Sequence, residues 1–252
     1  MKKLYEKSEL TFALACIGLY CALQSLANPL NQMIGLRYSA SAILCALQAA
    51  FLWRFIRQNG LSRRYGLCKS SVPARRFLYY IPLLVLMTRN FWNGIAVNFP
   101  LADTACYIVC MLCVGFVEEV IFRGLLFRAL ARDSVNMAIA VSSITFGLGH
   151  LLNLVNGSGA GLAENLFQVT GAIAIGFLFV ILFHRGGSLW PCVIAHAAIN
   201  IASAFANEEG LTMERRMIFH AALFAITAGY AFVLTRMLPK SPCANGDSAA
   251  ER

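Results

Sequence analysis

Residues 104–130, TACYIVCMLCVGFVEEVIFRGLLFRAL, form an apolar stretch that is interrupted by Glu118, Glu119 and Arg123. A helix needs about 20 apolar residues to cross a bilayer, so the stretch predicts a membrane-spanning helix. An ionised side chain at the bilayer centre costs about 2.5–3.5 kcal/mol on insertion scales, and such residues usually have a partner or a function. This stretch therefore predicts a membrane protein, and it marks the place where chemistry is expected.

The rest of the chain is also apolar. Of its 252 residues, 59% are hydrophobic and 13% are charged, whereas soluble domains have about 45–50% apolar and about 25% charged residues. We predict an all-α polytopic transmembrane helical bundle with about eight spans, and a single transmembrane domain over residues 1–240 with its motif-bearing core at 104–206. The tail 241–252 is predicted to be disordered. Besides 104–130, the predicted spans are 10–27, 38–55, 77–92, 135–153, 166–184, 188–206 and 217–238.

The positions of lysine and arginine predict the orientation. With the N-terminus in the cytoplasm, 17 of the 21 basic residues lie on the cytoplasmic side, which fits the positive-inside rule and places the C-terminus there too. The net charge of +9 then reflects topology rather than nucleic-acid binding. An alternative is a cleavable signal peptide ending near Ala27, but Glu6 and Glu9 favour a retained first helix. The four basic residues on the opposite, non-cytoplasmic side are Arg37, Arg89, Arg215 and Arg216.

Glu118 and Glu119 have different predicted surroundings. Arg123 follows Glu119 by four residues on the same helix face, so these two side chains are expected to neutralise each other. Glu118 is rotated from Glu119 by about 100° and has no cation nearby on its own helix. Glu118 is therefore the better candidate for a proton acceptor.

Two further predicted spans carry polar side chains of catalytic type. Phe146 and His150 share one helix face, with glycines nearby that allow close helix approach, and His196 and Asn200 share another. Taken singly, a histidine or asparagine in a membrane helix could serve only to form an interhelical hydrogen bond. Taken together with Glu118, they indicate a shared polar cavity. A carboxylate and an imidazole can deprotonate a water, and a second imidazole and an amide can stabilise an oxyanion, as amide hydrolysis requires.

Other site types fit less well. The chain has no G-x-S-x-G and no H-E-x-x-H, and its aspartates lie at predicted span ends or in the tail. Three cysteines in the fourth span match a spacing used for iron–sulfur clusters, but inside an apolar helix they indicate packing. A zinc site formed by Glu118, His150 and His196 is the alternative to a metal-free site. A proton-coupled transporter and a non-catalytic bacteriocin-immunity-type protein are the alternative functions.

The order of these motifs resembles a known family. The chain is similar to the CPBP (or ABI) family of intramembrane proteases, which includes the type II CAAX prenyl endopeptidases, and the similarity is most specific over residues 115–205. It is carried by Glu118-Glu119-x-x-x-Arg123, Phe146-x-x-x-His150 and His196-x-x-x-Asn200, with FRGLLF at 122–127 and GGSLWPCVIAHAAIN at 186–200 beside them.

The resemblance implies an eight-helix membrane fold of glutamate-type proteases, and the absence of close zinc-ligand spacing favours a site without a metal or other cofactor. Glu118 would activate water together with His150, and His196 and Asn200 would form the oxyanion site. Supporting roles would fall to Glu119, Arg123 and Phe146. The implied partners are the lipid bilayer and a peptide or protein substrate, with or without a lipid group, and the implied location in a prokaryote is the inner membrane. Because the charged end of the fourth span is predicted to be cytoplasmic, the site is expected to open to that side.

Overall fold

The computed structural model describes residues 1–72, 80–152 and 161–238. Within these ranges the chain is helical, and the only β contact is an isolated bridge between Ile95 and Ala206. The predicted all-α bundle is therefore confirmed, whereas the predicted disordered tail lies outside the described residues. The helices are α1 (Lys2–Lys7), α2 (Glu9–Ile34), α3 (Ser39–Gln58), α4 (Ile81–Met87), α5 (Leu101–Glu119), α6 (Phe127–Leu130), α7 (Val135–Gly149), α8 (Leu162–Gly186), α9 (Trp190–Ala202) and α10 (Met213–Met237).

Five helical segments in the described part of the chain are long and apolar enough to cross a membrane. They are Glu9–Ile34, Ser39–Gln58, Leu101–Leu130, Leu162–Gly186 and Met213–Met237. Two further apolar helices, Val135–Gly149 and Trp190–Phe205, are shorter. Apart from the third, the predicted spans correspond to these helices with boundaries a few residues away, which supports a multi-pass membrane protein.

The third predicted span, 77–92, is not one continuous helix. Residues 77–79 lie outside the described part, α4 covers only seven residues, and a 3₁₀ turn follows at Arg89–Phe91. The polar pair Arg89 and Asn90 thus ends the apolar helix well short of spanning length. Asn90 donates from Nδ2 to the carbonyl of Ile199 at 2.6 Å, which fixes this turn against α9.

One end of the bundle, called the basic end below, is formed by residues 59–72, 131–134 and 187–189. Glu9 at the start of α2 forms ion pairs with Arg64 at 2.6 Å and Arg132 at 2.9 Å. The hydroxyl of Tyr65 donates to Glu9 at 2.6 Å. Burial and the neighbouring Glu9 carboxylate raise the pKa of the Tyr65 phenol, so it remains a donor. These contacts join the loop after α3 and the turn after α6 to α2.

The opposite end, called the far end below, is formed by residues 32–38, 88–100 and 206–216. The backbone N–H of Arg37 donates to the carboxylate of Asp103 at 3.2 Å, which joins the α2–α3 turn to the start of α5. The N–H of Ala96 donates to the carbonyl of Phe205 at 3.0 Å. The segment before α5 is therefore held against the end of α9.

Glycines allow the helices that carry the motifs to approach closely. A Cβ at Gly115 of α5 would lie 2.9 Å from the backbone nitrogen of Ala197 in α9. A Cβ at Gly147 of α7 would lie 3.0 Å from backbone atoms of α8. The expectation of close approach is thus confirmed for Gly147 but not for Gly149, where a Cβ would meet open space. The packing of α5 on α9 brings the first and third motifs together.

Candidate active site

The two glutamates lie in the last turn of α5, at a change of helix type. From Val120 to Leu126 the helix is π-helical, and it returns to α geometry in α6. The carbonyl of Phe122 inside this turn accepts a hydrogen bond from Ser142 Oγ of α7 at 2.8 Å. π-turns inside α-helices are rare and frequent at functional sites. Here the turn places Arg123 beside Glu119 and joins the segment to α7.

Glu119 is fully buried and holds two basic groups. Its Oε1 lies 3.1 Å from Nη1 of Arg123, which is also fully buried, so the predicted ion pair is present. The same oxygen lies 2.7 Å from Nδ1 of His196 in α9. When Nδ1 donates to Glu119, Nε2 is the nitrogen left for other partners. Glu119 therefore connects the first motif to the third and orients the imidazole.

Phe146 forms the apolar side of this cluster. The guanidinium carbon of Arg123 lies 3.9 Å from the centre of the Phe146 ring, a cation–π arrangement. The same ring contacts His150 and His196 edge to face, with centroid distances of 5.5 and 5.6 Å. Phe146 thus touches a side chain of each motif, as its predicted supporting role requires.

Glu118 is 9% exposed and faces a cavity. Its Oε1 accepts a hydrogen bond from the hydroxyl of Tyr20 in α2 at 2.5 Å. Its Oε2 lies 3.4 Å from His196 Nε2, and no hydrogen-bond donor reaches that oxygen from the described residues. The Glu118 carboxylate therefore has one buried oxygen without a hydrogen bond from the described residues.

The sequence-based expectation that Glu118 has no basic neighbour considered only its own helix. In the structure His196 lies between the two carboxylates, with Nδ1 towards Glu119 and Nε2 towards Glu118. An imidazole carries its nitrogens at different edges of the ring, so it can bridge adjacent residues whose side chains are rotated by about 100°. The two glutamates share one histidine rather than occupying separate sectors.

The cavity has a volume of about 660 Å³. Three predicted site residues line it, namely Glu118, His150 and Asn200. A smaller neighbouring cavity of about 80 Å³ is lined by His196 together with His150 and Asn200. The structure thus brings all four predicted catalytic side chains to adjoining cavities.

His150 lies at a depth similar to that of Glu118 because α7 is short. The helix that carries Glu118 ends at Leu130 and α7 begins at Val135, so both adjoin the turn at residues 131–134. The fifteen residues of α7 rise only about 22 Å from that turn, and both Glu118 and His150 line the large cavity. The end of α7 therefore falls within the bundle, beside the cavity.

The cavity extends from Glu118 towards the far end. Its lining includes Gln32, Arg37 and Arg89 there, and none of its lining residues belongs to the basic end. By the positive-inside rule the far end, with Arg37, Arg89 and two other arginines, is the non-cytoplasmic side. The predicted orientation and the predicted cytoplasmic opening are thus incompatible, because the charged end of the fourth span lies away from the cavity opening.

Two lining residues could not be identified from the sequence. Tyr20 lies 98 positions before its partner Glu118, in a predicted span with no motif of its own. Arg89 is one of the four basic residues that the sequence places on the non-cytoplasmic side without a role, yet it lines both cavities. Neither residue type nor spacing distinguishes them, because both reach the site only through the packing of separate helices.

Within residues 1–72, 80–152 and 161–238, no three His, Cys, Asp or Glu side chains are grouped as ligands of one metal ion. Of the three cysteines in the fourth span, Cys110 is buried in a small apolar cluster with Ala42, Cys45 and Val114. This position agrees with a packing role for Cys110. The zinc alternative stays a prediction for the chelator experiment described below.

Comparison with known proteins identifies one family. Residues 100–202 match the model of the family described as Type II CAAX prenyl endopeptidase Rce1-like. No curated protein and no solved structure matches the chain. The match confirms the resemblance to the CPBP family seen in the sequence, and it supports CAAX-type intramembrane protease activity in general terms.

Proposed function

We propose that this chain, whose residues 100–202 are of the Type II CAAX prenyl endopeptidase Rce1-like kind, is a metal-free intramembrane endopeptidase of the glutamate type. It would cut a membrane-associated or C-terminal peptide in the cavity that contains Glu118. One observation carries this proposal. A carboxylate, an imidazole and a carboxamide line the same cavity, and one oxygen of the carboxylate has no hydrogen-bond partner among the described residues.

In the proposed reaction, Glu118 takes a proton from a water held between its free Oε2 and His150. The resulting hydroxide forms a bond to the carbonyl carbon of the scissile peptide, whose electron pair moves to the carbonyl oxygen. The side-chain amide of Asn200 donates to that oxyanion, and Nε2 of His196 does so when it carries a proton. Glu118 then returns its proton to the leaving nitrogen as the carbon–nitrogen bond breaks.

The surrounding residues hold these groups in place. Glu119 accepts from His196 Nδ1 and is itself neutralised by Arg123. Tyr20 fixes the other oxygen of Glu118. Two hydroxyls, those of Tyr107 and Ser203, lie near the backbone of Asn200. The hydroxyl of Tyr107 donates to the Asn200 carbonyl at 3.2 Å and lies 2.6 Å from Ser203 Oγ. A preorganised arrangement of this kind lowers the barrier without reorganisation during the reaction.

The test is proteolysis by purified protein in liposomes. A peptide library with prenylated and unprenylated C-termini would be incubated with wild type, with Glu118→Gln and with Glu209→Gln. Glu209 is an exposed carboxylate at the far end and serves as the matched control. We expect Glu118→Gln to lower kcat at least about 100-fold, since general acid–base catalysis typically contributes about 10²–10⁴-fold. The control is expected to retain the wild-type rate.

The same experiment decides between the alternatives. Cleavage that persists with a chelator supports the metal-free site, whereas cleavage lost with the chelator and restored by Zn²⁺ assigns Glu118, His150 and His196 to zinc. Wild-type rates in Glu118→Gln would contradict the proposal. Comparison of prenylated and unprenylated peptides shows whether the substrate carries a lipid.

A further inference from the structure

Arg89 lines the cavity in which a substrate would bind. It is half-buried at the start of the 3₁₀ turn after α4, and it lines both the large and the small cavity. In both cavities it shares the wall with His150 and Asn200. The turn is fixed to α9 one residue before Asn200, through the hydrogen bond from Asn90 to Ile199. Arg89 therefore has a defined position relative to the proposed oxyanion site.

The guanidinium of Arg89 forms no ion pair and no side-chain hydrogen bond with the residues that the structure describes. The buried Arg123 differs in this respect. Arg123 is paired with Glu119. Arg37 also lines the large cavity but, unlike Arg89, it does not line the small one beside His196. A partly desolvated cation is costly unless it is paired, so Arg89 is suited to an anion that arrives with the substrate.

The lining around Arg89 is polar but not acidic. Apart from Glu118, no Asp or Glu lines the large cavity, and several amide side chains do. Amides can donate to a carboxylate without competing for the cation. They are Gln24, Asn28, Asn31, Gln32, Asn90, Gln168 and Asn200.

We propose that Arg89 is a specificity-determining residue that binds the C-terminal carboxylate of the peptide substrate. This inference rests on the proposed endopeptidase function and names one substrate contact for it. A guanidinium matches a carboxylate with two parallel N–H donors, which makes the pair directional as well as strong. The position beside His150 and Asn200 places the bound chain end close to the bond that is cut.

The cavity favours a chain end over an internal acidic residue. Its volume of about 660 Å³ is in the range of about 300–1,000 Å³ that small-molecule sites have. Its wall includes residues of the far end and none of the basic end. An internal segment needs two exits from such a site, whereas a chain end needs one. A free C-terminus therefore fits both the charge and the shape.

The test is equilibrium binding without turnover. Glu118→Gln protein in phosphatidylcholine liposomes would be dialysed against three hexapeptide pools, and the bound peptides would be quantified by mass spectrometry. One pool ends in a free carboxylate and one in a carboxamide, and the third is amidated but contains an internal Glu. Four proteins would be compared. They are Glu118→Gln alone and Glu118→Gln combined with Arg89→Gln, with Arg89→Lys or with Arg215→Gln. Arg215 is an exposed arginine at the far end and provides the matched charge control.

We expect the free-carboxylate pool to bind about 10- to 100-fold more tightly than the amidated pool, as a charge-assisted contact provides. Arg89→Gln should abolish the difference, Arg89→Lys should retain part of it, and Arg215→Gln should leave it unchanged. Equal binding of the acid and amide pools, or a preference that survives Arg89→Gln, would overturn the inference. So would equal binding of the internal-Glu pool. Loss of the preference when phosphatidylglycerol is added would assign Arg89 to a lipid headgroup instead.

Failure of this inference can be told apart from failure of the proposed function. Binding in the Glu118→Gln background does not depend on catalysis. Cleavage that depends on Glu118 but not on a free C-terminus would remove only the role of Arg89. Cleavage that does not depend on Glu118 would remove the proposed mechanism and leave the binding result standing.

Discussion

At the scale of single residues, the site separates two adjacent carboxylates by their surroundings. Glu119 is fully buried, with Arg123 and His196 on the same oxygen, whereas Glu118 lines the cavity. Burial and pairing suit Glu119 to hold other groups in place. Access to the cavity suits Glu118 to act on a substrate.

Tyr20→Phe tests the positioning of Glu118. The change removes one hydroxyl and keeps the ring, so the packing of α2 should be preserved. We expect kcat to fall about 10-fold with KM little changed, because a hydrogen bond to a charged group typically contributes about 1.5–3 kcal/mol. Steady-state kinetics on the cleaved library peptide would measure both constants. A rise in KM at constant kcat would instead place Tyr20 in substrate binding.

Arg123→Leu tests the buried ion pair. The substitution leaves the Glu119 carboxylate buried with one basic neighbour fewer, and removal of one partner of a buried pair typically costs about 3–5 kcal/mol. We expect a lower Tm in detergent together with loss of activity. Arg132→Leu is the matched control, because Arg132 pairs with Glu9 but its side chain is mostly exposed. A Tm unchanged by Arg123→Leu would contradict a stabilising role for this pair.

The residues of the site were only partly predictable from the sequence. Spacing predicted the Glu119–Arg123 pair and the shared faces of Phe146 with His150 and His196 with Asn200, because helical periodicity determines which neighbours on one helix meet. Tyr20, Arg89 and the contact of His196 with both glutamates depend on how separate helices pack. A single sequence carries no local signal for such pairings.

At the scale of helices, close approach determines whether the motifs meet. The backbone of α9 passes so near Gly115 that a Cβ there would lie within 3.0 Å of Ala197. His196 is the residue that precedes Ala197 in the chain. The separation of α5 and α9 therefore sets the distance between the imidazole and both carboxylates.

Gly115→Ala should move these two helices apart. We expect at least a 10-fold loss of activity and a lower Tm, because backbone atoms cannot yield as a flexible side chain can. Gly229→Ala in α10 is the control, since a Cβ at that position meets nothing within 4 Å. The control should be neutral or slightly stabilising, as Ala is a better helix former than Gly. Full activity in Gly115→Ala would show that the α5–α9 contact is not critical.

Two features of the helices were not predictable from the hydrophobic pattern. The π-turn at Val120–Leu126 does not interrupt the apolar run, so only the hydrogen-bonding pattern of the folded chain reveals it. α4 ends early, just before Arg89 and Asn90. Hydropathy averaged over a whole predicted span can include two such polar residues without showing that the helix ends there. Hydropathy predicts where helices lie better than how they are built.

At the scale of the whole molecule, the cavity and the charge distribution give a direction. The cavity lining reaches the far end, which carries few basic residues compared with the basic end. Under the positive-inside rule the substrate would then enter from the non-cytoplasmic side.

Cysteine labelling would measure this orientation. In a chain with its native cysteines replaced, Gln32→Cys lies at the cavity's far end and Arg63→Cys lies at the basic end, and both positions are exposed. We expect a membrane-impermeant maleimide to label Gln32→Cys in intact cells and Arg63→Cys only in inverted vesicles. The reverse pattern would contradict the orientation and place the opening on the cytoplasmic side.

The contact between Tyr20 and Glu118 also bears on how the protein is made. Helices leave the ribosome in chain order, so α2 enters the membrane before α5. The Tyr20 hydroxyl, which donates to Glu118, is then already present when this carboxylate enters the membrane. Arg123 follows Glu119 by about one helical turn. Only His196 comes later, with α9. Biogenesis can therefore insert both acidic side chains with a partner at hand, and the last of these helices to arrive completes the site.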